Sequence, residues 1–359
     1  MKSNFKIFNV MGIDVELHIS FILFVLLFLL LDWSFLIILF VLFASITLHE
    51  LSHSIIGKLH GINVKKIVLL PIGGMAAMDE VQLKPYSEFK MSIAGPLLNF
   101  SLCTLIALAA QLFGLPFLMG WADWNAAMGG SIAVPLATML FSSAFWLNWL
   151  LGSFNLFVPA IPLDGGRVFR SALALVTDYV NATRIATTVS TVITFFLFLY
   201  ALFTYNIILL VISIFVYLGA VSELEYALSN KLLAHFPLQR IVRANYLVLK
   251  PATKLDKAIE EMIKSRSLVA FTTIGRHMEL VSLYDIRHVP KSKWKTTSLK
   301  AIANRVRAAE IGDSVTVVMH SMMRNGLEAM PVISEEEIVG VVFRDDIDRV
   351  FEILKVSNP

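Results

Sequence analysis

The stretch Leu48-His49-Glu50-Leu51-Ser52-His53 decides how the rest of the chain is interpreted. In a helix, side chains four residues apart share a face, so His49 and His53 can bind one metal ion together. Glu50 can then act as a base on a water molecule held by that ion. The stretch follows a continuous apolar run over 36–44, and ionisable side chains at membrane depth cost a few kcal/mol each. We therefore expect these three residues to serve a function.

The composition indicates an integral membrane protein with a more polar C-terminal part. Of its 359 residues, 57% are hydrophobic and 16% are charged, whereas soluble domains carry about 25% charged residues. The mean hydropathy is +0.73. Residues 1–230 hold 10 of the 30 Lys and Arg residues, and residues 231–359 hold the other 20. The single cysteine, Cys103, excludes a disulfide framework within the chain. We expect a transmembrane domain over 1–228.

Six apolar runs are candidates for membrane-spanning helices, because crossing about 30 Å of hydrocarbon takes about 20 residues. The first run has no small-residue cleavage site behind it and is interpreted as a retained span. Lys and Arg precede the first run and follow the second and fourth, whereas the connection 114–134 contains neither. Since cytoplasmic loops are enriched in Lys and Arg, we expect a multi-pass protein of the cell membrane with both termini cytoplasmic. The runs cover 18–31, 34–57, 88–113, 135–158, 184–203 and 206–222.

Two segments interrupt the helical pattern at membrane depth. Residues 64–79 are apolar and β-branched around Pro71-Ile72-Gly73-Gly74, which predicts a hairpin that dips into the membrane. Residues 154–167 contain two prolines and two glycines, which exclude a continuous helix. Irregular backbone at this depth is tolerated only where it is buried in protein or lines a wet cavity. Both interruptions therefore indicate an internal aqueous site.

A catalytic zinc site needs a third protein ligand in addition to His49 and His53. Asp164, inside the second interruption, is the strongest candidate for that ligand. The alternatives are the other polar residues expected at this depth. These are His18, Asn99, Asn148 and Asn155.

Taken together, these residues resemble the site-2 protease family of intramembrane zinc metalloproteases, in its six-span form. The resemblance covers residues 1–222 and implies one zinc ion held by His49, His53 and Asp164, with Glu50 as general base. It also implies that Asn155 donates a hydrogen bond to the substrate carbonyl. The segment from Asn155 to Asp164 is one residue longer than the usual pattern, so Asn148 remains an alternative donor. The matching motifs are His49-Glu50-Leu51-Ser52-His53, Pro71-Ile72-Gly73-Gly74, Ala94-Gly95-Pro96-Leu97-Leu98-Asn99 and Asn155 with Pro162-Leu163-Asp164-Gly165-Gly166.

The C-terminal part contains two copies of a unit of about 50 residues, each with helices and short strands. It resembles a tandem pair of CBS domains, with the first repeat over 240–300 and the second over 301–359. Such pairs often bind adenine nucleotides through a hydroxyl residue and an aspartate. Ser282 and Asp285 match this pattern in the first copy, where Glu279 replaces the glycine; Asp346 matches in the second, where Phe343 removes the hydroxyl. The alternative is a purely structural pair or one that forms a homodimer.

The expected fold class is thus an α-helical polytopic membrane protein with about six transmembrane helices and a membrane-dipping β-hairpin, followed by a cytosolic α/β tandem CBS domain. The first functional hypothesis is an intramembrane zinc endopeptidase. It would act on transmembrane protein substrates in the lipid bilayer, under regulation by the CBS pair. The second hypothesis is a CBS-regulated transporter or channel that uses the buried His/Glu/Asp cluster. Lys291, Lys293 and Lys295 are interpreted as a solvated or headgroup-facing surface, with no nucleic-acid partner.

Overall fold

The computed structural model describes residues 4–31, 34–71, 73–78, 83–114, 117–118, 120–128, 135–234, 236–274, 277–335 and 337–357. The contacts between residues divide the chain into two compact units, 1–225 and 226–359. The predicted boundaries at 228, 240 and 301 remain predictions.

The first unit consists of a small sheet and a set of long apolar helices. Its strands are β1 (Asn4–Val10), β2 (Ile13–His18), β3 (Val64–Leu70) and β4 (Gly73–Met78). Its helices are α1 (Ile19–Leu31), α2 (Ser34–Leu59), α3 (Pro85–Phe113), α4 (Trp121–Met128), α5 (Leu136–Phe157), α6 (Asp164–Leu173), α7 (Tyr179–Phe203) and α8 (Ile207–Leu233), the last of which continues into the second unit.

The four strands form one sheet in the order β1-β2-β3-β4. β2 and β3 are parallel, and α1 and α2 provide the connection between them. Alternate residues of β2, Ile13 and Val15, are completely buried, and they pack in one apolar cluster with Leu51 of α2. The face of α2 that bears Leu51 is thereby held against the sheet.

The β3–β4 hairpin agrees with the hairpin predicted from residues 64–79, whereas no strands were predicted for residues 4–18. The alternation of Ile13, Val15 and Leu17 is the signal for β2 that was missed. Ile72 and Asp79, which belong to the predicted hairpin, lie outside the described residues.

All six predicted spans correspond to helices, α1, α2, α3, α5, α7 and α8. Within the described ranges, four helical segments are long and apolar enough to cross a membrane. α1 has 13 residues, which at 1.5 Å per residue gives about 20 Å, shorter than the hydrocarbon core. The number of spans therefore stays a prediction. The four segments are Ile38–Leu59, Pro85–Phe113, Tyr179–Phe203 and Ile207–Leu233.

The second unit repeats the order helix, strand, strand, helix, as the sequence predicted. Each copy contributes a three-stranded sheet, in the orders β5-β6-β7 and β10-β9-β8. The first copy contains α9 (Leu255–Lys264), β5 (Val269–Ile274), β6 (His277–Ser282), α10 (Leu283–Arg287) and β7 (Asn304–Arg305). The second contains β8 (Ala309–Glu310), α11 (Val315–Asn325), β9 (Ala329–Ser334), β10 (Glu337–Phe343) and α12 (Arg344–Ser357).

Candidate metal centre

Two helices bring the three predicted metal ligands together. α2 carries His49 and His53 on one face, and α6 begins at Asp164. The residues before α6 are not helical, because two prolines occur between 159 and 162. A Cβ at Gly165 would lie 2.4 Å from the Leu156 carbonyl oxygen, and a Cβ at Gly166 would lie 2.3 Å from a backbone nitrogen. Glycine at both positions lets the chain turn back closely enough to present Asp164 to α2.

The three side chains form a compact group. Asp164 Oδ2 lies 3.0 Å from His49 Nε2 and 3.2 Å from His53 Nε2. The two Nε2 atoms are 3.1 Å apart. Both histidines are buried, with 3% and 6% of their surface exposed, while Asp164 is partly accessible. One ligand atom from each residue could therefore bind the same metal ion.

The hydrogen bonds on the far side of each imidazole determine which nitrogen carries the proton. His53 Nδ1 lies 2.6 Å from the Met91 carbonyl oxygen. A carbonyl oxygen only accepts, so Nδ1 must donate, and in the neutral imidazole the lone pair is then on Nε2. His49 Nδ1 lies 2.7 Å from Asn99 Oδ1, which gives His49 the same tautomer.

The group therefore fits a divalent metal ion. With both imidazoles neutral, two lone pairs and a carboxylate oxygen face one another, and a cation between them would bind all three. Metal–ligand bonds of about 2.0–2.1 Å at tetrahedral angles place ligand atoms about 3.3 Å apart, close to the observed 3.0–3.2 Å. Two histidines and a carboxylate are also a donor set typical of catalytic zinc.

α3 passes directly beside these ligands. A Cβ at Gly95 would lie 2.4 Å from His53 Nε2 and 2.7 Å from His49 Nε2. No side chain can therefore occupy this position while the histidines keep their places. Gly95 thereby leaves the space that the metal site needs.

Glu50 follows His49 on α2 and is partly buried. The first residues of β4 pass beside it, since a Cβ at Gly74 would lie 2.6 Å from Glu50 Cγ and 3.3 Å from Ile46 Cγ2. β4 is the last strand of the sheet, so within the described residues it is paired on one side only. The predicted base thus follows a ligand on α2 and lies against one face of β4, the edge strand of this sheet.

The remaining predicted site residues occupy different positions. Asn155, near the end of α5, is partly exposed and donates from Nδ2 to the Leu151 carbonyl oxygen, 3.0 Å away on its own helix. Asn148 is buried and hydrogen-bonded to Asn99. His18, at the end of β2, hydrogen-bonds to Ser20. His18 does not belong to the described metal-ligand group.

A buried ion cluster beside the site was not anticipated from the sequence. Arg170 of α6 is 3% exposed. Its Nε lies 2.9 Å from Glu88 Oε1 of α3, and its Nη1 lies 2.9 Å from Glu223 Oε2 of α8. Arg167 also pairs with Glu223 at 3.2 Å. The cluster ties α6, and with it Asp164, to two other helices. Glu88 and Glu223, at the ends of two apolar runs, were the available signal.

In the second unit, the three predicted nucleotide-contacting residues have local partners. Ser282 and Asp285 form a reciprocal cap at the start of α10, with the Ser282 N–H donating to Asp285 Oδ2 at 2.8 Å. Asp346 pairs with Arg243. A cleft of about 620 Å³ lies close by, and its lining includes Arg243, Tyr246 and Arg349.

The N-terminal part of the chain is similar to known peptidases. The family model of peptidase family M50 matches residues 37–200, a range that contains all three candidate ligands. The site-2 protease from Methanocaldococcus jannaschii, a solved structure, is 33% identical; the match covers 95% of that chain and 62% of this one, with a TM-score of 0.44. The chain belongs to the site-2 protease family. A zinc metalloprotease from the same organism is 29% identical over 376 residues, which cover 100% of this chain and 99% of the relative.

The family assignment makes the protein a metalloprotease, as the sequence predicted. The CBS domain model matches residues 301–352, within the predicted second repeat. The first repeat has the same order of helices and strands. The chain therefore combines a membrane metalloprotease of the site-2 type with a CBS module.

Proposed function

We propose that this protein is an intramembrane zinc metalloprotease that hydrolyses peptide bonds within or next to transmembrane segments of other membrane proteins. One observation carries the proposal: His49, His53 and Asp164 converge within an apolar helical unit, with Glu50 next to them. A transporter or channel would not require two imidazole lone pairs and a carboxylate that all point at one place. Both termini would be cytoplasmic, and cleavage would occur near the cytoplasmic side of the bilayer.

Each residue has a separate role in the proposed reaction. His49, His53 and Asp164 hold the zinc ion, which when bound acidifies water and polarises the scissile carbonyl. Glu50 takes a proton from the attacking water and passes it to the leaving amine. Asn155 is proposed to donate its amide to the substrate carbonyl through its second hydrogen, because the bond to the Leu151 carbonyl uses only one of the two.

The open edge of β4 is proposed to receive the substrate. A transmembrane helix hides its peptide groups in internal hydrogen bonds, so it must unwind before cleavage. Main-chain hydrogen bonds to a strand edge stabilise an extended segment. Because Gly74 at the start of β4 lies against Glu50, a strand added there would pass close to the proposed base.

The CBS pair is proposed to regulate the protease. An adenine nucleotide would bind near the cleft lined by Arg243 and Arg349, whose positive charges suit phosphate groups. Ser282 and Asp285, or Asp346, would contact the ribose. A homodimer through the CBS domains is the other proposed role. Titration calorimetry of the full-length protein with AMP and ATP at millimolar concentration tests nucleotide binding, and absence of heat would remove that part of the proposal.

Proteolysis is tested by co-expressing the protein with a panel of single-span membrane proteins. The wild type should cleave at least one of them, and Glu50→Ala should cleave none while still holding one zinc per chain. Glu225→Ala, which changes a glutamate elsewhere in the chain, is the matched control and should cleave like the wild type. A Glu50→Ala variant that still cleaves, or purified wild type without stoichiometric zinc, would refute the proposal. Ion flux in liposomes without proteolysis would favour the transporter hypothesis.

A further inference from the structure

A chain of buried polar side chains leads away from His49. Asn99 of α3 receives the hydrogen bond from His49 Nδ1 and is completely buried. Its Nδ2 lies 3.1 Å from Asn148 Oδ1 of α5. Asn148 Nδ2 in turn lies 2.8 Å from the Ala144 carbonyl oxygen and 2.9 Å from Ser45 Oγ of α2. This series of hydrogen-bonded side chains therefore joins α2, α3 and α5. It ends at the Ala144 carbonyl and, through Ser45, at the Val41 carbonyl.

These two carbonyls determine the direction of every hydrogen bond in this series of side chains. The Ala144 carbonyl can only accept, so the Asn148 amide group must face it. Ser45 Oγ donates to the Val41 carbonyl at 2.8 Å, which leaves its lone pair to accept from Asn148. Asn148 Oδ1 must then face Asn99 and accept from it. As a result Asn99 Oδ1 faces His49, and His49 Nδ1 must carry the proton.

We infer that Asn99 and Asn148 are positioning residues that fix the tautomer of His49 and keep its Nε2 lone pair available to the metal. The inference rests on the proposed zinc site. It also removes Asn148 as a donor to the substrate carbonyl, because both of its amide hydrogens are used by Ala144 and Ser45. Asn148 is 3% exposed, which further separates it from a substrate. Asn155 is the asparagine left for that role.

The experiment measures the zinc dissociation constant of the full-length protein in detergent by competition with a chelator. Asn99→Leu removes the acceptor for His49 and should weaken zinc binding about 10–100-fold, the usual effect of losing such a partner. Asn99→Asp also loses the donor to Asn148 but keeps an acceptor for His49, so its affinity should stay close to the wild-type value. This pair separates the hydrogen bond to His49 from simple repacking, since both variants change the same buried position.

Asn148→Leu should weaken zinc binding in the same direction but less, because Asn99 loses its fixed orientation while remaining beside His49. At saturating zinc, its kcat should fall far less than that of Asn155→Ala. Asn155→Ala, on the same helix, is the control and should leave zinc affinity unchanged. Loss of a transition-state donor lowers kcat by about 10²–10³-fold, and only Asn155→Ala should show that loss at saturating zinc.

The outcomes separate this inference from the proposed function. If Asn99→Leu binds zinc as tightly as the wild type, or no more weakly than Asn99→Asp, the positioning role is wrong although the protease can still be correct. If Asn148→Leu keeps its zinc affinity and loses kcat at saturating zinc, Asn148 is a substrate donor and the inference is overturned. A wild type that binds zinc but cleaves no substrate would refute the protease and leave the positioning role intact.

Discussion

Replacing Gly95 by alanine should abolish zinc binding without unfolding the protein. The added Cβ would lie 2.4 Å from His53 Nε2 and 2.6 Å from His49 Cε1, whereas ordinary contacts begin at 3.4 Å. The added Cβ would therefore lie about 1 Å closer to His53 Nε2 than an ordinary contact allows. Metal sites tolerate changes in ligand distance of about 0.2 Å, so a shift of this size exceeds the tolerance about fivefold. α2 and α3 cannot both relax freely, because Leu51 packs α2 against the sheet.

We expect the zinc dissociation constant of Gly95→Ala to rise at least about 100-fold, beyond the effect of a lost outer hydrogen bond. Overpacking of a buried site costs about 1–3 kcal/mol of folding free energy, so the variant should still purify as a folded protein with a lower melting temperature. Chelator competition and a thermal melt in detergent measure the two quantities.

Gly57→Ala is the matched control for this experiment. Gly57 lies on α2, four residues after His53, and its added Cβ would meet Ile62 and Met91 at an ordinary 3.4 Å. That variant should bind zinc and cleave substrate like the wild type. The reasoning would be refuted if Gly95→Ala bound zinc with wild-type affinity, or if Gly57→Ala lost zinc to the same extent.

Three other perturbations test the rest of the structure. Arg170→Met leaves Glu88 buried without its arginine partner and should destabilise the protein by about 3–5 kcal/mol. The control is Arg184→Met, which changes an exposed arginine. If both variants unfold at the same denaturant concentration, the role given to the ion cluster is wrong. Gly340→Ala places a Cβ 2.4 Å from Val242 Cγ1 and 2.7 Å from the Arg243 carbonyl, and it should cost about 1–3 kcal/mol in thermal melts. Gly312→Ala, with no described neighbour within 4 Å, should melt like the wild type. Chelation of zinc should remove the stabilisation of a bound ligand, about 4 kcal/mol at 1,000 times the dissociation constant, and added zinc should restore the melting temperature; an unchanged melt would argue against a tightly held ion.

The unexpected strands β1 and β2 show why part of the fold was not predicted. Their alternating pattern is short, and β2 pairs with β3 across two intervening helices. A parallel partner so distant in sequence leaves no local signature. The buried pairs of Arg170 with Glu88 and Glu223 could not be predicted for the same reason, since each partner comes from a different helix. The sequence shows charged residues next to the apolar runs but not which charged residues pair with one another.

The sequence by itself determined the helical membrane unit, the repeated C-terminal unit and the candidate residues His49, Glu50, His53 and Asp164. Those features depend on composition, on periodicity, on spacing along one helix for the first three residues and on the Pro/Gly interruption for Asp164, all of which are local. Only the tertiary structure decided that Asn99 supports His49, that Gly95 leaves room for the ligands, and that Asn148 has no free amide hydrogen. These properties depend on distances between helices and on the direction of hydrogen bonds, which packing alone determines.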